Sequence, residues 1–437
     1  MKNEILQAVE RCIGWIEREM LTYEDGYNGI YERIRIDCHH RTHWVRPDCN
    51  AEFARVLGQY ALLTGSNVHT ALKQKCIEWL LRTQERDPLS LFCGSFPFYV
   101  VDGWQRVAGV PDSLYPNDNG KVLVALMDLY RQNGDARLTE CADCLARYWT
   151  HLQQPDGRFA RLDGRTQCLP ATPCFVGWLC AGLWMLYTQT KEPAFQAAAE
   201  QSTALLVACI GKDGRVQTAY EAAKVEDWRP VSSECAMALL QLSIAYQETA
   251  RPDLLAAARR VGAFLLSLQQ PNGAIANCDE TCLDASLQND AQQCDLVYTG
   301  GYALMALLQM YRVSHEAAYL EAAKRYARFL LSIQCKNESP HWDGAWRGSY
   351  QFSGCQKLGF KKLKVPHGMG KRKWAQWVVR SKGKKCVFHL HPFFMKGSWA
   401  GRCNQNNAID EGGMYSVYTG WCNTTLMSGL LMLWGEV

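Results

Sequence analysis

The chain is dominated by a hydrophobic pattern with the period of an α-helix. In six segments, apolar residues recur at positions i, i+3, i+4 and i+7, which leaves the opposite face polar. A helix with one apolar face packs on a neighbour and exposes its other face to water. We therefore predict six amphipathic helices, which span residues 5–20, 69–84, 136–153, 193–210, 253–269 and 318–334.

Six further segments alternate with these and are apolar nearly all round, as expected of helices enclosed by others. They begin near Asp48, Asn117, Thr172, Ser232, Thr299 and Thr419. Several amphipathic segments end in turns such as QQPDGRF, GKDGRV and QQPNGAI, whose Pro, Asp or Asn, and Gly residues stop a helix and reverse the chain. The sequence thus predicts six consecutive helical hairpins.

A ring of hairpins explains this repeat better than a linear stack. A linear stack needs a polar capping repeat at each end, and neither end of this sequence has one. We predict an all-α (α/α)6 toroid, in which the six amphipathic helices surround the six apolar ones. Residues 1–437 would then form a single catalytic domain.

A basic stretch interrupts the repeat before the last inner helix. Residues 355–402 contain 13 Lys and Arg and no Asp or Glu, whereas the rest of the chain has 34 basic and 43 acidic residues. The net charge of +4 therefore hides an acidic body with a net charge of −9. Basic residues interleaved with aromatics fit polyanion binding. The abrupt change in composition also fits a surface loop or a frame-shifted stretch of coding sequence, so we do not predict a nucleic-acid partner.

Two features bear on where the protein acts. The N-terminal segment carries Glu4, Glu10 and Glu17 in a helical period, unlike a signal peptide, and no run of about 18 apolar residues could span a membrane. The 20 cysteines are scattered, many of them on apolar helix faces. This is typical of a reducing compartment, and their spacing does not favour a zinc site. We expect a cytoplasmic protein without a membrane partner.

Several short motifs resemble those of the six-hairpin glycosidase superfamily. They are LLSLQQPNGA at the end of an outer helix and YPNDNGK, VYTGGYA and VYTGWCN at inner-helix starts, together with GIYERIRID, RPDCNAE and GAWRGSY. The resemblance is nearest to unsaturated-uronyl hydrolases and β-glucuronidase-type enzymes. It implies that the N-terminal ends of the inner helices face an active-site funnel. The same toroid also carries polysaccharide lyases, sugar epimerases, prenyltransferase subunits and lanthionine cyclases, so it implies a fold more firmly than a reaction.

Four carboxylates beside predicted inner-helix starts are candidates for catalysis: Asp48, Asp118, Glu234 and Asp295. Acids at such positions also cap free N–H groups and suit the helix dipole, so capping is the alternative for each of them. Glycoside hydrolysis needs two carboxyl groups, one protonated and one ionised. An aromatic-lined funnel would raise the pKa of one of them by removing it from water.

Arginines and aromatic residues near the same helix starts are candidates for binding the substrate. A guanidinium binds a carboxylate through two parallel hydrogen bonds, so Arg46, Arg229 and Arg347 suggest an acidic sugar such as a uronic acid. Pairing with acids of the protein is the alternative for arginines of the first loop. An aromatic ring can stack on a sugar or fill the core. The aromatic candidates are Trp104, Trp228, Tyr298, Trp346 and Trp421.

These features predict a glycoside hydrolase (EC 3.2.1.-) that trims an acidic oligosaccharide by carboxylate acid–base catalysis, with no cofactor and no metal. A polysaccharide lyase or a sugar epimerase is the alternative enzyme, with one of His39, His40 and His43 as a base. A toroid that binds carbohydrate without catalysis is the alternative outside enzymes.

Overall fold

The structure is a computed structural model whose described residues are 1–22, 29–35, 40–41, 44–101, 105–106, 114–160, 172–216, 232–279, 293–337, 339–351 and 417–437. Within these ranges the chain forms twelve α-helices and eight short strands. The helices are α1 Lys2–Trp15, α2 Pro47–Thr64, α3 Thr70–Thr83, α4 Pro116–Asn133, α5 Ala136–His151, α6 Trp178–Thr190, α7 Pro193–Ala208, α8 Ser232–Thr249, α9 Pro252–Ser267, α10 Gly301–Ser314, α11 Ala317–Ile333 and α12 Gly420–Glu436. Three of them are extended by π-helical turns: Ile16–Met20 follows α1, Pro173–Gly177 precedes α6 and Leu296–Gly300 precedes α10.

The even-numbered helices form a closed inner ring. Contacts run from α2 to α4, then through α6, α8, α10 and α12, and from α12 back to α2. Each inner helix also packs on an outer helix: α3 on α2, α5 on α4, α7 on α6, α9 on α8, α11 on α10 and α1 on α12. The prediction of an (α/α)6 toroid is therefore confirmed.

The hydrophobic pattern explains which helices lie inside. In α6, every residue from Trp178 to Leu186 is buried, because neighbours surround this helix. In α5, the buried residues recur on one face only, as Leu138, Cys141, Ala142, Leu145, Ala146, Tyr148 and Trp149. The inner helices thus place nearly all their side chains between the rings and along the axis, where a polar residue requires a specific partner.

A repeated glutamine fastens outer helices to one another. At the end of an outer helix, its side-chain Nε2 donates a hydrogen bond to a backbone carbonyl of the next outer helix. These bonds join Gln84 to Cys141 (2.8 Å), Gln153 to Ala198 (2.9 Å), Gln269 to Ala322 (2.9 Å) and Gln334 to Ala8 (2.8 Å). The last of them joins α11 to α1 and so closes the outer ring.

Three small antiparallel sheets lie at the N-terminal ends of inner helices. The strands are β1 Arg33–Arg35, β2 His40–Arg41, β3 Trp44–Val45, β4 Val100–Val101, β5 Gln105–Arg106, β6 Gln293–Asp295, β7 Ser349–Gln351 and β8 Val417–Thr419. Their orders are β2-β1-β8, β3-β4-β5 and β6-β7. Because β3 leads into α2 and β8 leads into α12, the sheets hold the loops around this end of the ring.

Two further predictions concern segments rather than the ring. The basic stretch 355–402 lies outside the described residues. Among the helices that are described, none is both long enough and apolar enough to cross a membrane.

The turn after α11 gives a test of ring closure. Gly344 has a φ of +96°, and a Cβ at this position would overlap the backbone carbonyl of Arg11 in α1. We expect Gly344→Ala to lower the free energy of unfolding by about 1–2 kcal/mol for the left-handed backbone and by about 1–3 kcal/mol more for the overlap. Denaturant unfolding would measure the loss.

A matched control is Gly65→Ala at the end of α2. Gly65 also has a positive φ, +70°, but a Cβ there would meet no atom within 4 Å. Gly65→Ala should therefore lower the free energy of unfolding only by the backbone contribution of about 1–2 kcal/mol. Equal losses in the two variants would contradict a role for the close approach of Gly344 to α1.

Candidate active site

The candidate site lies where α2 and α4 begin, side by side in the inner ring. Both helices have Pro at their first position, and its fixed φ suits a helix start. An Asn in the first turn of each helix holds the preceding loop. Asn50 accepts a hydrogen bond from the Ile30 N–H (3.0 Å), and Asn119 accepts one from the Phe96 N–H (2.9 Å). These bonds fix the backbone that carries the first-turn acids.

Arg46 is the centre of a buried ionic cluster. Its Nε and Nη2 donate to the two oxygens of Asp48 at 3.1 and 3.0 Å, and its Nη1 donates to Glu32 at 3.0 Å. Nη2 also donates to Asp118 at 2.8 Å. Phe98 covers the guanidinium, with its ring centroid 4.5 Å from Cζ. One cation therefore binds three carboxyl groups, which come from the segment before β1, from α2 and from α4.

Lys121 adds a second cation to this acidic cluster of Glu32, Arg46, Asp48, Asp118 and Lys121. Its Nζ lies 3.7 Å from Asp48 Oδ2 and 3.8 Å from Asp118 Oδ1. The exposed fractions of the side chains are 8% for Lys121, 2% for Asp48 and 6% for Asp118. Three carboxyl groups and two cations thus share a region removed from water.

Asp118 retains a proton at a pH where a free aspartate is ionised. Burial raises the pKa of its carboxyl group to about 7; Arg46 and Lys121 oppose this rise, and the neighbouring Asp48 adds to it. Two neighbouring carboxyl groups resist ionising together, which favours one proton on this pair.

Aromatic rings lie beside the acidic cluster. Trp44 stacks on Tyr99 with centroids 4.5 Å apart and an interplanar angle of 14°. Phe98 meets Tyr99 at 5.4 Å and Tyr115 at 5.1 Å, both edge to face. All four side chains are half-buried. We call these four residues the aromatic shelf, and such rings present large apolar surfaces of the kind that bind the apolar face of a sugar.

A second carboxyl group with a raised pKa lies in the first turn of α8. Burial raises the pKa of Glu234 to about 7, although the Cys174 N–H donates to its Oε2 at 3.2 Å. Cys174 belongs to the π-helical turn before α6, which contacts both α4 and α8. Burial raises the pKa of its thiol, and Glu234, Lys121 and Asp118 are near enough to influence that pKa. Glu234 and the acidic cluster thus lie in neighbouring parts of the inner ring.

Asp295, the fourth predicted acid, caps a helical turn. Its carboxylate accepts hydrogen bonds from the Val297 N–H at 2.9 Å and the Tyr298 N–H at 3.3 Å. This geometry is that of the capping alternative. Tyr298 packs edge to face on Trp421 at 5.0 Å. A catalytic role for Asp295 and a binding role for Tyr298 stay predictions.

Two predicted substrate-binding residues have other roles. Trp346 is fully buried, and its indole N–H donates to the Leu330 carbonyl at 2.8 Å. It fills the core, so the prediction that it stacks on a sugar was wrong. Arg46 uses its guanidinium to bind carboxyl groups of the protein, the alternative given for arginines of the first loop, and its binding of a substrate carboxylate stays a prediction.

Trp421 and Arg347 are also largely buried. Trp421 is 6% exposed, its indole N–H donates to the Tyr302 hydroxyl at 2.9 Å, and Lys121 Nζ lies 3.7 Å from its ring centroid. Its binding of a sugar stays a prediction. Arg347 is 5% exposed, and its binding of a substrate stays a prediction.

The remaining candidates fall outside the described residues. They are Trp104, Trp228 and Arg229 among the binding residues, and His39 and His43 among the alternative bases. Their roles stay predictions.

Sequence reasoning missed Lys121, Trp44 and Tyr99. Lys121 is the only charged residue between Asp118 and Asp128 in the apolar run of α4. A charge in a helix that is apolar all round must find its partner inside the protein, and this signal was available in the sequence. No periodic pattern marks Trp44 or Tyr99, because both lie in short segments outside the helices.

The raised pKa of Glu234 predicts how stability depends on pH. The folded protein binds this proton more tightly than the unfolded chain, so the proton stabilises the fold below about pH 4.5 and the effect is lost as the pH rises to about 7. Glu234→Gln keeps a neutral side chain and should not show this loss. The difference in unfolding free energy between the variant and the wild type should grow by about 3 kcal/mol across this range.

Denaturant unfolding at several pH values would measure this difference. Glu140→Gln, on the exposed face of α5, is the control and should leave the pH dependence as it is. A constant difference between Glu234→Gln and the wild type would show that Glu234 is ionised in the folded protein.

Comparison with known proteins supports the fold. No model of a known protein family matches the chain, and no curated protein matches it in sequence. The chain is similar in structure to a D-mannose isomerase (TM-score 0.66, 9% identity, 100% of this chain and 98% of that chain) and to a cellobiose 2-epimerase from Spirochaeta thermophila (0.65, 13%, 100% and 96%). It is also similar to an unsaturated glucuronyl hydrolase specific for heparin (0.61, 11%, 100% and 98%). The resemblance to six-hairpin toroid proteins is thus confirmed at the level of the fold.

Proposed function

We propose that the protein is a glycoside hydrolase that acts on an oligosaccharide containing a uronic acid, with Asp118 as the proton donor. The observation that carries this proposal is the buried Asp48–Asp118 pair, in which burial raises the pKa of Asp118 to about 7. A general acid must be protonated at the pH at which it works. Asp118 meets this requirement up to neutral pH.

Cleavage of a glycosidic bond also requires a carboxyl group that activates water or attacks the anomeric carbon. Asp48 and Asp118 accept hydrogen bonds from the same Nη2 of Arg46, so we assign Asp48 to positioning rather than to the activation of water. Glu234 lies on a different inner helix, α8, where the Cys174 N–H donates to it. In this proposal Glu234 supplies the second carboxyl group in its ionised form, and Asp48 holds Asp118 in place. Because burial raises the pKa of both Asp118 and Glu234 to about 7, we expect activity near neutral pH, where a protonated Asp118 and an ionised Glu234 occur together.

The aromatic shelf is the proposed surface for a sugar ring. Its rings are half-buried, and they reach the acidic cluster through Phe98, which covers Arg46. Aromatic rings bind a sugar ring through their apolar surface and hold the sugar in a fixed orientation. A sugar on the shelf would therefore lie next to the proton on Asp118.

The proposal that the substrate contains an acidic sugar depends on the remaining arginines. With Arg46 occupied by carboxyl groups of the protein, Arg229 and Arg347 are the candidates for a substrate carboxylate. A hydrolase with the same fold is named for unsaturated glucuronyl substrates, while others with that fold are named as epimerases or an isomerase. Product analysis must therefore distinguish these reactions.

The test is turnover of paired disaccharides, one with a uronic acid and one neutral, by the wild type and Asp118→Asn. We expect hydrolysis of the uronic acid substrate, and a loss of about 10²–10⁴ in turnover in the variant, because the amide removes an acidic proton and almost no volume. Asp135→Asn, at the half-buried N-cap of the outer helix α5, is the control and should keep full turnover, since Asn also caps a helix.

Mass spectrometry and ultraviolet absorbance would identify the product. Hydrolysis adds one water, a lyase forms an absorbing unsaturated sugar, and an epimerase conserves mass. A conserved mass, or full turnover in a folded Asp118→Asn, would refute the proposal.

The aromatic shelf gives a separate expectation. Trp44→Ala or Tyr99→Ala should raise KM about tenfold, equivalent to about 1.4 kcal/mol, with little change in kcat, because these rings lie beside the reacting groups rather than among them. Trp434→Ala is the control, since this half-buried indole lies at the far end of α12. Similar KM values in all three variants would rule out the shelf as the sugar surface.

A further inference from the structure

Lys121 is held within the acidic cluster by its charge rather than by directed bonds. Its Nζ is buried, and within the described part of the chain it has no hydrogen-bond partner. The distances of 3.7 Å to Asp48 and 3.8 Å to Asp118 are too long for hydrogen bonds but short for an electrostatic interaction. The Trp421 ring, 3.7 Å away, stabilises a cation through its π electrons.

Among the described residues, four inner helices contribute groups that surround this ammonium group. Asp118 shares α4 with Lys121, and Asp48 and Arg46 face it from the start of α2. Trp421 faces it from α12, and Tyr302 faces it from α10, with its ring centroid 5.6 Å from Nζ. Among the described residues, the other charged or titratable groups nearby are Glu32, which binds Arg46 and Arg33, the buried thiol of Cys49 in α2, and Cys174 with Glu234 on the side of α8.

Charge balance explains why a lysine is buried here. Arg46 binds three carboxyl groups, and Glu32 has a second cation in Arg33, whose Nε lies 3.5 Å from its Oε2. Asp48 and Asp118 share Arg46 and Lys121, and a buried charge without a partner is costly. Without Lys121, Arg46 would be the cation that these two carboxyl groups share.

We propose that Lys121 is a positioning residue whose charge determines over which pH range the Asp48–Asp118 pair carries its proton. Its effect on rate rests on the proposed function, but its effect on the proton does not. In the wild type, Lys121 opposes the raised pKa of Asp118. Removing this cation should raise that pKa further, by about 1–3 units as expected for an opposite charge at this distance.

The first test is the pH dependence of kcat/KM in Lys121→Met, Lys121→Gln and Lys121→Arg. If Asp118 is the general acid, activity falls as the pH rises through its pKa. In the two neutral variants, the fall of kcat/KM on the alkaline side should therefore occur at higher pH than in the wild type. In Lys121→Arg it should occur at the wild-type pH. Lys73→Met, in α3 and outside the cluster, is the control. A lower rate with an unmoved alkaline limb in both neutral variants would overturn the proposal.

The second test does not depend on turnover. Infrared difference spectra between acid and alkaline pH should show a protonated carboxyl band near neutral pH that Asp118→Asn removes. This band should persist to higher pH in Lys121→Gln than in the wild type. If it does, the proposal stands even where no glycoside is hydrolysed. Loss of the band at the same pH in both proteins would overturn the proposal while leaving the proposed hydrolase untouched.

A third measurement covers variants that fold poorly. Replacing Asp48 by Asn together with Lys121→Met removes one negative and one positive charge, so the net charge of the cluster is kept. The melting temperature lost through Lys121→Met should therefore be smaller in the Asp48→Asn background than in the wild type. An equal or larger loss would show that packing, not charge balance, fixes Lys121.

Discussion

The candidate site depends on the buried ion pairs of Arg46. Its guanidinium binds both oxygens of Asp48 and also binds Glu32 and Asp118. It joins the segment before β1 to the starts of two inner helices, and all four side chains are at most 6% exposed. A buried ion pair gives little net stability compared with an apolar core, but loss of one member leaves an unpaired charge and is strongly destabilising. The cluster therefore fixes the relative positions of α2 and α4 more than it strengthens the fold.

Closure of the ring is a second requirement for the same site. Trp421 lies at the start of the last helix, yet its ring contacts Lys121 of α4 and the guanidinium of Arg46 beside α2, at 3.7 and 5.0 Å. These contacts exist because α12 packs between α10 and α2. Outside the inner ring, the bond from Gln334 to Ala8 joins the last outer helix to the first. Ring closure thus brings the start of the last inner helix next to the starts of α2 and α4, where the acids lie.

The sequence predicted the helices well because helix formation and burial leave local, periodic traces. The starts predicted near Asp48 and Asn117 are at Pro47 and Pro116 in the structure. The acids Asp48 and Asp118 were also found from local context, because they lie in the first turns of these helices. Their partners could not be found in this way, since the pairing with Arg46 spans up to 72 residues and depends on ring closure. Trp346 was misjudged for the same reason: a loop sequence does not tell which indole points into the core.

The hydrogen bonds that they accept distinguish Asp48 from Asp118, two aspartates that look alike in sequence. Asp48 accepts hydrogen bonds on both oxygens from Arg46, and its Oδ1 also accepts from the Cys49 N–H at 3.0 Å. On Asp118, Oδ1 accepts from Arg46 and from Asn117 Nδ2 at 3.2 Å. Arg46 thus donates to both oxygens of Asp48 but to one oxygen of Asp118. This difference depends on where the guanidinium lies in the folded protein, which is why neither the residue type nor its helix position could reveal it.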